Sequence, residues 1–407
     1  MSARESTKKS KNALRSDGMS TLYVTNAKIL RDDKFVENIG MIVEDGKITA
    51  FTETAPKDAE IVDCGGKTVI PGFVDIHLHG GGGAEFIDGT PEAFEIVART
   101  HCLHGTTSLC PTPASCSIAS LYKLFDVYRT ARKNAKYCDF LGIHLEGPFL
   151  SLENKGAQNA NYIISPTPEL MDELLERGKG VIARISFAPE NEGMRASIEK
   201  ARDAGIVLAI AHSNVQYEET EEVYGRGVRL ITHLFNATTT IRKVNQIVRA
   251  GQVEAFYTLP ELRAEIIGDG CHVPKQVIAM ARRFKGTDNI CLITDAMRAA
   301  GTDVTESYLG EVLPENRVII EAGVAKLPDR SFYAGSIATM DRVFRNAVEN
   351  VGLSIEDTSA MMSKTPARLM GAGAYKGILE VGYDADFLVI GDELNVDSVF
   401  VRGDRKK

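Results

Sequence analysis

Glu146 ends an apolar run, Phe140 to Leu145, and is followed at once by the turn dipeptide Gly147-Pro148. A strand that delivers one carboxylate to a turn is poor core design unless a cation meets it. The chain offers the groups to hold that cation. His77 and His79 stand two apart in Pro71-Gly-Phe-Val-Asp-Ile-His-Leu-His-Gly80, and His212, His233 and Asp295 each close a further apolar run. Imidazole nitrogens and carboxylate oxygens suit a divalent metal, zinc first, with iron, manganese or cobalt as the other candidates. Glu146, His212 and His233 make a three-ligand site with an open position for water. His77 and His79 share one face of a strand, because side chains alternate with period two, and they provide for a second ion. Asp295 is a further oxygen donor at that centre and the best general base. A metal draws the pKa of a bound water down to roughly 7, and a carboxylate beside it can take the proton and return it to a leaving amine.

Each motif alone has a plainer reading. A bare His-x-His is frequent on surfaces, a single buried histidine is often a satisfied core residue, and Asp295 could be a helix N-cap. What decides is the placement of all of them at strand ends. Strand candidates fall at 73–77, 106–110, 139–145, 181–187, 206–211, 229–233, 264–268 and 289–294, with amphipathic stretches between them, among them Pro91–Leu103, Ile118–Asn134, Pro168–Arg177, Gly193–Ala204 and Pro274–Phe284. Eight strands alternating with helices predict an α/β fold, a (β/α)8 TIM barrel over 71–372, whose chemistry lies at the C-terminal ends of the strands. Histidines with only structural duties have no reason to gather at one end. The stretch from Leu309 to Tyr333 reads as a hairpin inserted after the last strand.

Both chain ends read as β. Leu22–Leu30, Ile39–Val43 and Ile48–Phe51, with an Asp45-Gly46 hairpin signal, are answered by Gly382–Ile390 and Val396–Val401. Neither end has enough strands for a core of its own. A small β-sandwich built from 21–70 and 373–407 is therefore expected, with the barrel inserted between its halves. Residues 1–20, rich in Ser, Lys and Arg, read as a disordered tail.

The bulk composition bounds the partners. A net charge of −8 argues against nucleic acid, and no run of 18 apolar residues is present to span a membrane. Seven cysteines, without Cys-x-x-Cys spacing, read as reduced thiols of a cytoplasmic protein.

The blocks PGFVDIHLHGGGG from Pro71, LGIHLEGPFL from Leu141, KGAQN from Lys155, AHSN from Ala211, THLFNA from Thr232, GDGCHV from Gly268 and ITDAMRAAG from Ile293 together resemble the N-acetylglucosamine-6-phosphate deacetylase family of the metal-dependent amidohydrolases. The resemblance runs over roughly residues 21 to 403. It implies hydrolysis of the N-acetyl group of an amino-sugar 6-phosphate by one or two metal ions. Glu146 stands where related barrels use a carbamylated lysine, and Ile182–Ala188 supplies no lysine. Asp295 resembles the family's acid/base. Ala157, Gln158, Asn236, Ala237 and His272 resemble residues that line the substrate, and Tyr333, Ala334 and Gly335 the loop beside the acyl group. A homodimer is implied as well. Two departures stand out. Gln158 replaces a histidine that helps polarise the acetyl carbonyl, leaving an uncharged amide donor for the oxyanion. The Arg-Glu-Pro-Gly segment whose arginine reaches a neighbour's phosphate is replaced by Thr238–Asn245, where Arg242 or Lys243 is the candidate. A deacetylase of another N-acyl amino sugar, such as N-acetylgalactosamine 6-phosphate, or of an N-acyl amino acid, is the alternative.

Overall fold

The computed structural model describes residues 21–31 and 33–407, so the expected tail at 1–20 lies outside the described residues. Nine parallel strand segments form two sheets. Asp139–Phe140 pairs with Thr106–Pro111, which pairs with Phe73–Leu78. The second sheet runs Ile143–Glu146, Ile182–Phe187, Val207–Ile210, Leu230–Ile231, Arg263–Ile267 and Ile290–Ile293. Asp139–Phe140 and Ile143–Glu146 are consecutive pieces of one run, so the eight expected strands are all present. Gly142 breaks that run at φ +119, and a Cβ there would lie 2.4 Å from the Ala183 side chain. Across the break, Leu141 N donates to Leu109 O at 3.0 Å and Ile143 N to Val181 O at 2.8 Å, one bond to each sheet. At the far edge Asp295 N donates to His77 O at 3.0 Å and His79 N to Ala296 O at 2.7 Å, so the last strand meets the first.

The strands are short and almost wholly buried on both faces, which is how parallel strands covered by helices read in sequence. The helices start where local chemistry starts them. Thr90 and Thr167 each accept an N–H of the first turn, with Pro91 and Pro168 at the first helical position. The helix expected over Gly193–Ala204 is instead two, Glu192–Ala196 and Ile198–Asp203, divided at Ser197, whose hydroxyl donates to Gly193 O at 2.9 Å. The insertion is larger than a hairpin. Glu306–Tyr308, Arg317–Glu321 and Val324–Lys326 form a three-stranded antiparallel sheet. The chain reverses once through the 3-10 turn at Pro314–Asn316 and again at Ala322-Gly323, where both residues have positive φ.

The two chain ends meet in one mixed eight-stranded sheet. Its twelve-residue strand Glu60–Pro71 pairs in parallel with Leu22–Arg31 on one edge and antiparallel with Phe387–Ile390 on the other. A sandwich would have two packed layers; the strand pairing here is that of a single sheet, since this one long strand has partners on both edges. Asp45 and Gly46 carry φ of 51° and 75°, as a two-residue turn of the Asp-Gly kind requires. Lys376 ties the sheet to the parallel strands: its buried ammonium lies 2.6 Å from Asp139, 2.8 Å from Asp384 and 2.6 Å from Asp386. The cysteines form no disulfide among the described residues, and no described helix is long and apolar enough to cross a membrane.

Candidate active site

The predicted ligands converge at the C-terminal ends of the strands. Glu146 ends its strand buried, with Oε1 3.2 Å from His212 Nε2 and 2.9 Å from His233 Nε2. His79 Nε2 lies 3.1 Å from Asp295 Oδ1 and 3.4 Å from Glu146 Oε2. His77 Nε2 is 3.5 Å from Asp295 Oδ1 and 3.6 Å from Glu146 Oε1, too far to bond either, and has no hydrogen-bond partner despite complete burial. His212, His233 and Asp295 hold φ of 43°, 31° and 50°. Left-handed backbone at a non-glycine residue is unfavourable, and three cases at the ends of three strands mark a functional site.

The outward nitrogens decide what the inward ones can do. His79 Nδ1 faces Thr112 O at 2.9 Å, His212 Nδ1 faces Asn154 O at 3.0 Å, and His233 Nδ1 faces Asn236 O at 3.1 Å. His77 Nδ1 faces Glu265 Oε2 at 3.1 Å. All four acceptors are oxygens without a proton to give, so in each neutral ring Nδ1 carries the hydrogen and Nε2 keeps its lone pair. Four lone pairs and two carboxylates therefore face one centre. His77, His79 and Glu146 form one group whose ligand atoms lie within 4.8 Å of one another, and Glu146, His212 and His233 form another. This donor set fits a divalent metal.

The electrostatics agree. Burial resists charge on His77 and His79, yet the carboxylates win: Glu146, Asp295 and Glu265 hold His77 well above the usual histidine range, and Asp295 and Glu146 raise His79. Burial likewise opposes ionisation of Glu146 and Asp295, and the facing histidines hold both below their ordinary values. Protons on the imidazoles supply the positive charge that a metal ion would otherwise bring, so proton and metal compete for the same lone pairs.

A cavity of about 480 Å³ opens over this cluster, lined by His79, Glu146, His212, His233 and Asp295 below. Of the nominated substrate residues, Ala157, Gln158, Asn236, Ala237, His272, Tyr333 and Gly335 line it too. His272 Nδ1 bonds Asp269 Oδ2 at 2.8 Å, and its ring meets that of Tyr333 edge-on at 4.8 Å. Two of the expected residues do not line the cavity, and a third, Gln158, lines it with its amide already engaged. Ala334 is fully buried behind the wall. Gln158 Nε2 donates to Glu146 Oε2 at 2.7 Å while its Oε1 accepts from Ser115 N at 2.8 Å, so the amide expected to serve an oxyanion is engaged in holding the carboxylate. Arg242 lies outside the cavity, exposed on the hairpin Arg242–Val244 and Ile247–Arg249, with Nε 3.2 Å from Gln216 Oε1. The only lysine or arginine along the cavity among the described residues is Arg330, beside Ser331 and Phe332 in the inserted sheet's last loop. Sequence reasoning missed Arg330 because nothing local marks it, and missed Glu265 although the same signal that exposed Glu146 was there: an acid inside an apolar strand.

The chain belongs to the amidohydrolase family, whose model matches residues 68–406. Within that family it falls among the N-acetylglucosamine-6-phosphate deacetylases. The enzyme of that name from Lysinibacillus sphaericus is 30% identical over 383 residues, 92% of this chain and 95% of its own. The crystal structure of the Pasteurella multocida deacetylase superposes with a TM-score of 0.88 at 29% identity, covering 95% of this chain and 99% of that one. A point mutant of the Mycobacterium smegmatis deacetylase, in complex with N-acetyl-D-glucosamine 6-phosphate, superposes with a TM-score of 0.86 at 30% identity over the same shares.

Proposed function

We propose that this chain hydrolyses N-acetylglucosamine 6-phosphate to acetate and glucosamine 6-phosphate. The observation that carries the reading is the convergence of four Nε2 lone pairs on Glu146 and Asp295, each fixed by an outward Nδ1–H bond. Glu146, His212 and His233 would hold the main ion and His77 with His79 a second, zinc being the first candidate. When bound, the ion supplies Lewis-acid activation of water and of the acyl oxygen. The chain's own groups do the rest. Asp295 takes a proton from the attacking water, whose oxygen bonds to the acetyl carbon, and delivers that proton to the nitrogen as the carbon–nitrogen bond breaks. His272, held by Asp269, and the Tyr333 ring orient the sugar. Arg330, as the cavity's one guanidinium among the described residues, suits a phosphate dianion. The M. smegmatis relative's complex with the same sugar phosphate supports the substrate class.

The same reading takes the parallel strands as a closed (β/α)8 barrel over 71–372, with 21–70 and 373–407 as its β partner. It also takes the enzyme as a homodimer. Ile241, Val244, Ile247 and Val248 expose apolar surface on and next to the hairpin of Arg242–Val244 and Ile247–Arg249, which a second copy would cover.

The test is acetate release across N-acetylated amino sugars with and without a 6-phosphate, using protein of measured metal content. The glucosamine 6-phosphate derivative is expected to have the highest kcat/KM. Arg330→Gln is expected to raise KM for it about tenfold, roughly 1.4 kcal/mol, and to leave unphosphorylated sugars unchanged. Equal turnover of phosphorylated and unphosphorylated sugars overturns the phosphate reading, and a preference for another acyl sugar or an acyl amino acid replaces the substrate.

A further inference from the structure

Three of the four histidines hand their Nδ1–H to a backbone carbonyl; His77 alone hands it to a side chain, Glu265. Glu265 in turn is gripped by Arg184. One guanidinium nitrogen bonds Glu265 Oε1, and Nη2 bonds Oε2, the same oxygen that faces His77, at 2.8 Å. Arg184, Glu265 and His77 are all fully buried. The clamp is tethered further, since Arg184 Nη2 also donates to Thr232 Oγ1 at 2.7 Å, on the residue before His233.

A buried ion pair is not a net stabiliser when set against an apolar pair of similar size. What this one contributes is a fixed acceptor. A backbone carbonyl is positioned by the fold itself, whereas the acceptor that faces the His77 ring, near the end of Phe73–Leu78, is a side chain. A carboxylate reaching across from Arg263–Ile267 fills that role, and it needs the Ile182–Phe187 arginine to stay in place. A carboxylate behind a ligating histidine fixes its tautomer and ring plane and raises its strength as a donor.

We propose that Glu265, clamped by Arg184, is the positioning residue that turns His77 into a metal ligand, so that the His77–His79 half of the cluster holds an ion of its own. The inference rests on the metal reading above and goes one step beyond it. The orphaned Nε2 of His77 is the independent sign: it is the one inward nitrogen of the four with no hydrogen-bond partner.

The experiment uses the full-length protein and zinc as probe. Histidine-directed 15N spectra should show Nδ1 of His77 keeping its hydrogen with and without metal, and zinc should displace the proton on Nε2 and shift that resonance. Two double variants separate positioning from packing. Arg184→Gln with Glu265→Gln keeps an acceptor for Nδ1–H; it is expected to keep the tautomer and to bind the His77 ion about 10- to 100-fold more weakly. Arg184→Met with Glu265→Leu removes the acceptor; it is expected to scramble the tautomer and lose one equivalent of zinc relative to the parent, with the metal-free melting temperature as the control for fold. Parent protein whose His77 Nε2 signal ignores zinc overturns the proposal. So does an apolar variant that keeps parental zinc stoichiometry and affinity. If the apolar variant fails to fold, affinity of the amide variant within about threefold of the parent overturns it instead. Failure of the functional reading looks different: zinc-loaded parent protein that releases no acetate from any acylated sugar, whatever stands at position 265.

Discussion

Among the described residues, two clusters built around acids satisfy the spacing of a metal site, and they are opposites. Asp139, Asp384 and Asp386 bring three carboxylates within reach of one point, and so do the oxygens and nitrogens around Glu146. At the first, the cation is already part of the chain. Lys376 Nζ touches all three acids, and although burial disfavours its charge, Asp386 and Asp139 hold it above the ordinary lysine range. At the second, the partners are imidazoles whose hydrogens point away. Ligand spacing does not distinguish the two clusters; the distinction is whether the negative charge and the lone pairs are already satisfied. A knot of acids around a lysine ties the terminal sheet to a strand. A knot of acids among four outward-bonded histidines waits for an ion.

The comparison can be broken in three places. The largest effect is expected at Asp295. Asp295→Asn removes the proton carrier while leaving Glu146, His212 and His233 intact, so acetate release should fall by about 10²–10⁴ with bound metal unchanged. Kinetics paired with metal analysis decides it; a variant that keeps full turnover after losing its metal would remove the reason for calling this cluster the reactive one. Next is Lys376→Met, which leaves buried Asp386 without its cation, while Asp139 keeps Arg402 and Asp384 keeps Lys47. Unfolding free energy should drop by roughly 3–5 kcal/mol in denaturant titrations, with kcat per folded molecule unaltered. Full rescue of that stability by calcium or magnesium would mean that the two clusters differ less than their geometry says.

The smallest effect concerns His101, a buried histidine that makes the contrast from the other side. Its Nε2 donates to Gly80 O at 2.9 Å, and burial pushes its pKa down to about 4, the reverse of His77 among its carboxylates. The unfolded chain takes up a proton near the ordinary value of 6.5 and the folded chain does not until about 4. Stability that is complete above that upper value is therefore lost as pH falls through the window, by up to about 3 kcal/mol. Chemical denaturation measured from about pH 7 to 4 should show the loss, and His101→Gln should flatten the slope. An unchanged slope would show that His101 takes no part in it.

Much of this was legible in the chain. Apolar runs of strand length, separated by amphipathic stretches, mark all eight parallel strands because both faces of each are covered. The residue after each run then falls at a strand end by counting alone, which is why Glu146, His212, His233 and Asp295 could be nominated together, and why His77 and His79 could be assigned one face. The partners of Gln158 and Arg242 lie beyond local reading for a common reason. Their chemistry was read correctly, an amide donor and a guanidinium, but a side chain's partner is set by what lies across space: Glu146 for the first, Gln216 for the second.

The residues by themselves determined which strands form and which of them end in a metal-binding side chain, since period, run length and turn chemistry are local properties. Only the tertiary structure decided which nitrogen of each histidine faces inward. It also decided that Arg184 meets Glu265, 81 residues further on, and that Arg330 reaches the cavity at all. Those outcomes depend on hydrogen bonds between strands distant in sequence, whose geometry exists only once the sheets have assembled around a common centre.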